Sequence, residues 1–129
     1  MKCIGIKPVW LGIECEIDNT LEALQEYVGG YIEVVPLSAK VVVICNEEGK
    51  INNLHTSASL LQRVRHCTGV YKVGELRLVD VFFGQILLCG VDGDEFCDLP
   101  EGEIEVTRFK ENEKYIASVT VGDWVIKAC

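Results

Sequence analysis

The chain has 129 residues, 49% hydrophobic and 25% charged, which fits one globular domain, leaves no room for a second core of ordinary size and excludes a disordered chain. Its formal charge of −8 disfavours general binding to nucleic acid or to anionic membranes, since both want a basic footprint. No apolar run approaches the ~20 residues that span a bilayer; the longest is Val41–Cys45, with Ile86–Cys89 close behind.

Along the chain, Met1 to Ile13 lacks a continuous apolar stretch, because Lys7, Pro8 and Gly12 interrupt it, and it lacks a small-residue cleavage site. It reads as a first strand, Lys2–Val9, rather than a leader. Ile13–Ile17 reads as a second strand. A short helix is expected from about Thr20 to Val28, capped by Asn19 with Glu22 three residues on in capping-box position. Leu21, Leu24 and Val28 share one face of it, and Gly29-Gly30 stops it. Tyr31–Leu37 and the β-branched Val41–Cys45 follow as strands, the latter ending in the turn Asn46-Glu47-Glu48-Gly49.

Thr56 to Arg65 is polar and then apolar, and is a candidate second short helix capped by Thr56 or Ser57, with Leu60, Leu61 and Val64 inward. Leu76 to Gly90 reads as two strands meeting at Gly84, and Gly93 lies in the turn Val91-Asp92-Gly93-Asp94. Asp98 to Glu111 is ambiguous: Glu103 to Thr107 alternates like a strand, whereas Asp98 followed by Pro100 resembles a helix start. Tyr115–Val121 and Trp124–Lys127 form a closing hairpin through Gly122-Asp123. The expected architecture is α+β: a single domain over residues 1–129, mostly antiparallel sheet, with one or two short helices on one face.

Seven cysteines, Cys3, Cys15, Cys45, Cys67, Cys89, Cys97 and Cys129, are an odd set with no Cys-x-x-Cys pair. A secreted disulfide framework favours an even count, so reduced thiols in a cytosol are expected. Cys45 and Cys89 end apolar runs and read as small core residues, while Cys129 is expected to be exposed. The charge is uneven. No Lys or Arg lies between Arg77 and Arg108, a span that holds Asp80, Asp92, Asp94, Glu95, Asp98, Glu101, Glu103 and Glu105. Such a stretch suits either a solvated acidic face or docking to a basic protein partner.

The segment from Thr20 to Leu37, with its helix, Gly29-Gly30 and strand, is followed by Val42-Val-Ile-Cys-Asn-Glu-Glu-Gly49. Further on stand Phe83-Gly-Gln-Ile-Leu-Leu-Cys-Gly90 and Asp94-Glu-Phe-Cys-Asp-Leu99. Together these resemble the bacterial and phage family named domain of unknown function thirty-eight forty-six, over roughly residues 15 to 105. Where that family has a Leu-Pro-Asn-Arg-like stretch, this chain has Leu54-His55-Thr56-Ser57, and the C-terminal hairpin from Tyr115 departs from the pattern. The resemblance carries over no catalytic residues. It implies a setting of phages, plasmids and mobile elements, in which small acidic non-enzymatic proteins often antagonise host defence.

Asp92, Asp94, Glu95 and Asp98 crowd one turn, but the sixth position of a calcium loop started at Asp92 is Cys97, not glycine. His55, His66 and Cys67 offer no second ligand pair for zinc, so no metal and no cofactor is expected. His55-Thr56-Ser57 and His66-Cys67-Thr68 each match a His-x-Ser/Thr pattern of two-histidine phosphoesterases, yet these histidines sit close in sequence across one expected helix. Arg63, Arg65, His66, Lys72 and Arg77, with Tyr71 between them, form the densest basic stretch and offer a grip for a nucleotide.

The leading expectation is a non-enzymatic binding protein in the cytosol of a bacterial host. It would dock on a host defence protein through Asp92, Asp94, Glu95, Asp98, Glu101, Glu103 and Glu105. The alternative is an oligomeric sponge for a signalling nucleotide, held by Arg63, Arg65, His66, Tyr71, Lys72 and Arg77. A cyclic-nucleotide phosphoesterase using His55 and His66 is the third.

Overall fold

A computed structural model describes residues 1–8, 12–49, 54–109 and 112–128, with side chains at all of these except 109 and 112–114. Val9, Glu111 and Cys129, on which sequence expectations fall, lie outside the described residues. The elements run β1 (Lys2–Ile6), β2 (Gly12–Glu16), α1 (Leu21–Val28), β3 (Ile32–Pro36), β4 (Val41–Asn46), β5 (Thr56–Arg65), β6 (Tyr71–Phe83), β7 (Ile86–Asp92), β8 (Glu95–Cys97), β9 (Glu105–Phe109), β10 (Asn112–Val121) and β11 (Trp124–Ala128). Among the described residues these strands join one sheet in the order β3-β4-β7-β1-β2-β10-β11-β5-β6, with β8 on β7 and β9 on β10. Each pairing is antiparallel.

The central strands are apolar without a break because both of their faces are buried. Side chains alternate across a strand. Val41, Val43 and Cys45 of β4, Ile86 and Leu88 of β7 and Ile4 and Ile6 of β1 enter one core. Val42, Ile44, Leu87, Cys89 and Cys3 point the other way, into a second core closed by Leu24 and Val28 of α1. The first core also takes Ala58, Leu60, Phe82, Ile116, Val119 and Ile126 from the other half of the sheet. The sheet therefore curls around it, until Gly49 beyond β4 packs against Phe83 at the end of β6.

The helix is where the sequence puts it, with a different cap. Thr20, in extended backbone, accepts a hydrogen bond from the Ala23 N–H at 3.2 Å, and Gly29 ends the helix with φ 81°. Asn19 does not cap, so Glu22 is not in capping-box position. The Asn19 side-chain amide instead donates to the Phe96 carbonyl at 2.8 Å, tying the helix entry to β8.

The expected second helix is a strand. Thr56–Arg65 is β5, paired with β11 on one side and β6 on the other. Ala58 and Leu60 face the core, and the buried Ser57 hydroxyl donates to the Phe82 carbonyl. A ladder on each edge, one from the next strand β6 and one from the distant β11, outweighs a short apolar spacing, and the Thr-Ser-rich start is a poor helix former. With one short helix on a mostly antiparallel sheet, the fold is more nearly all-β than α+β. The ambiguous stretch resolves as a loop from Asp98 and then strand β9.

Candidate functional site

The acids of the stretch from Asp92 to Glu105 are all exposed, but the fold divides them. Asp92 and Glu95 stand opposite each other where β7 meets β8, with Asp94 in the turn between them. Asp98 accepts a hydrogen bond from the Lys2 backbone N–H at 2.7 Å, and the Leu99 N–H donates to the Lys2 carbonyl at 3.0 Å. The chain crosses directly over Gly90 at this point. Any side chain there would collide with the Asp98 carbonyl, so only glycine permits the crossing. Glu101, Glu103 and Glu105 follow on the loop to β9, and Glu103 pairs with Lys40 at 3.3 Å.

The crossing loop and the β1–β2 pair enclose a groove of about 750 Å³. Ile4, Leu99, Pro100, Ile104 and Val106 supply apolar lining. Glu101 comes to it from the loop. Glu14 and Glu16 come from β2, set opposite Ile4 and Lys2 by the strand register. Sequence reasoning missed Glu14 and Glu16 as site residues. Their alternation with Ile13 and Cys15 signals one strand face, but the loop that meets that face lies some 85 positions further along the chain. Arg108 of β9 ion-pairs with Glu14. The groove is thus apolar within and acidic at its margin, with Lys2 as its one basic lining residue among those described.

The basic stretch gathers at the other end of the sheet. Arg63 and Arg65 lie over the Tyr71 ring at 3.5 and 4.3 Å from its centroid. Arg65 also lies 2.5 Å from Asp123 and donates to the Tyr71 hydroxyl at 2.7 Å, and that hydroxyl donates to Asp123. The Tyr71 hydroxyl and the Arg65 guanidinium hold the Asp123 carboxyl below its ordinary range, and the bond to Asp123 raises Arg65. Arg77 donates to Gln62. A hollow of about 350 Å³ is lined by Gln62, Arg63, Val64, Arg65, Arg77 and Asp123. Lys72 pairs with Glu75 at 3.7 Å. His66 is exposed in the turn beyond β5, outside this lining.

His55 precedes β5 and His66 follows it, so a ten-residue extended strand, not a helix, separates the histidines. Among the described residues no three His, Cys, Asp or Glu groups are arranged to hold a metal ion. Cys3, Cys15, Cys67, Cys89 and Cys97 are free thiols, and Cys45 donates to the Glu33 carbonyl. No described helix is long and apolar enough to cross a membrane.

Residues 1–114 match the family described as Domain of unknown function (DUF3846). The chain belongs to that family. The match extends past both ends of the likeness read from motifs and stops just short of Tyr115. No curated protein and no solved structure matches the chain.

Proposed function

We propose that this DUF3846 protein is a non-enzymatic binding protein that docks on a basic protein partner through its acidic groove and the adjoining acidic loop. The observation that carries this reading is the convergence of Glu14, Glu16 and Glu101, from segments remote in sequence, around an apolar lining. Such a surface complements a segment that alternates basic and apolar side chains: the charges steer the encounter and the apolar floor holds it. The phage and mobile-element setting implied by the resemblance directs the search for that partner to host defence proteins. The exposed acids at Asp92, Asp94 and Glu95 would extend the attractive field beyond the groove.

The test is charge reversal. Glu14→Lys, Glu16→Lys and Glu101→Lys combined should abolish capture of a basic host protein that the wild type retains. Retention of the same protein by both would overturn the reading.

A nucleotide sponge is the second reading, supported by the clustering of Arg63, Arg65 and Arg77 about one hollow. It ranks lower because Tyr71 is already stacked against guanidinium groups and Asp123 stands in the same hollow, where it repels phosphate. Excess ultraviolet absorbance at the nucleotide maximum in gently purified protein would restore it to first place.

A further inference from the structure

The strand order ends on β6, so one side of this thirteen-residue strand pairs with no other strand among the described residues. Its partner β5 runs beside β11 only as far as Gln62, opposite Trp124; beyond that, β6 is the one strand paired with Arg63 and Arg65 among the described residues, and Asp123 of the β10–β11 turn holds both. The outer part is a two-stranded ribbon, an arrangement that is marginal by itself in water. Along its length β6 exposes Val73 completely, and Leu76, Leu78 and Val79 at 42%, 60% and 45%. A long apolar edge is a template for another strand.

We propose that β6 pairs antiparallel with β6 of a second copy of this chain, about a two-fold axis at Leu76. The charges on the strand select both the occupant and the register. A two-fold axis perpendicular to the sheet sets one residue opposite its own copy. Centring on Glu75 or on Arg77 puts like charges face to face, which is destabilising. Centring on Leu78 leaves Arg77 opposite Val79 with no charge pair. Centring on Leu76 sets leucine against leucine and puts Glu75 of each copy opposite Arg77 of the other.

Further out, Lys72 and Asp80 stand four residues either side of Leu76 in sequence, so the two ends of the paired segment carry opposite charges. Against β5 the register is regular over Leu76, Arg77 and Leu78; the extra residue Val79 ends it on one side, and the irregular step between Leu76 and Tyr71, which holds Gly74 at φ 74° and Glu75, ends it on the other. The central ladder is therefore short, with Leu76 and Arg77 within it and Glu75 directly beside it. The contacts that Glu75 and Arg77 now make, to Lys72 and Gln62, are exposed and weak, and give way readily.

The experiment is sedimentation of the full chain over a wide concentration range, with circular dichroism on each variant. The wild type should reach a dimer. Glu75→Arg and Arg77→Glu should each weaken self-association by at least about tenfold while keeping the wild-type spectrum, because each sets like charges opposite one another. The double exchange E75R/R77E should restore it. A wild type that stays monomeric at every concentration overturns the proposal, and so does a dimer indifferent to both single reversals. A folded double exchange that fails to restore pairing rejects the register. Protection of β6 amides from hydrogen exchange only when a foreign chain is added would assign the edge to that chain instead.

Discussion

The side-chain amide of Asn46 donates to the main-chain carbonyl of Val28 at 3.1 Å, while its own carbonyl oxygen accepts from the Glu48 N–H at 2.8 Å. One buried side chain thereby joins the end of α1 to the turn after β4. These are the two segments that most strongly carry the family likeness, and they meet here with Gly30 against the same amide. The likeness at this point is a signature of the fold's construction, not of a reactive site. Asn46→Ala leaves the Val28 carbonyl unmet in a buried setting and should cost about 1–3 kcal/mol. Urea unfolding measures this, and an unchanged midpoint would contradict the assignment.

Gly5 lies against the Tyr27 side chain, and a Cβ added there would run into the phenolic oxygen. Gly5→Ala should destabilise by about 1–3 kcal/mol through overpacking. Adding Tyr27→Phe removes the colliding oxygen and should recover part of the loss. A double variant no more stable than Gly5→Ala would place the strain elsewhere.

The buried thiols make stability depend on alkaline pH. Burial, with Cys15 close by, pushes the Cys3 thiol up to about 12. Burial, with Cys3 and Cys97 nearby, does the same to Cys89, also to about 12. An unfolded thiol ionises near 9.0, so between that value and about 12 the unfolded chain sheds protons that the folded chain keeps. Stability is full below that window and falls as pH rises through it. The denaturant midpoint should hold up to about pH 9 and drop above it, and Cys3→Ala/Cys89→Ala should flatten the drop. At neutral pH the exposed Cys67 should alkylate well before Cys3, Cys45 or Cys89, a difference that mass spectrometry of the native protein reads directly.

Thr20→Ala should cost about 0.5–2 kcal/mol by removing the helix cap. Asn19→Ala should act differently, freeing β8 from the helix entry, so that exchange rises at the Cys97 end of the β7–β8 hairpin and not along α1. Hydrogen exchange resolved by residue separates the two. Uniform exposure of α1 in Asn19→Ala would contradict the division of roles.

How legible each part was follows from whether its determinants are local. Val41–Cys45 and Ile86–Cys89 announced themselves as strands because burial on both faces requires unbroken apolar runs. The helix was equally plain from Leu24, Val28 and Gly29. The cap was misassigned because Asn19 and Thr20 are both good caps, and a contact to Phe96, far along the chain, takes the first. β5 was missed for the same reason on a larger scale, since β11 and β6 supply the bonds that make it a strand.

The candidate sites divide likewise. The acidic stretch was visible as composition, but the groove was not, because Glu14 and Glu16 join Glu101 only through the crossing over Gly90. The arginines and Tyr71 were read as one segment and do come together, yet Asp123 arrives with them from a turn that no local pattern connects to it.

Docking through the acidic groove is tested by capture from a bacterial host lysate by the wild type and by the variant reversed at Glu14, Glu16 and Glu101, with native mass spectrometry of what is retained. A basic protein should bind the wild type, be released by added salt and be absent from the folded variant. A partner retained equally by both, or a mass increment of nucleotide size in place of a protein, would contradict it.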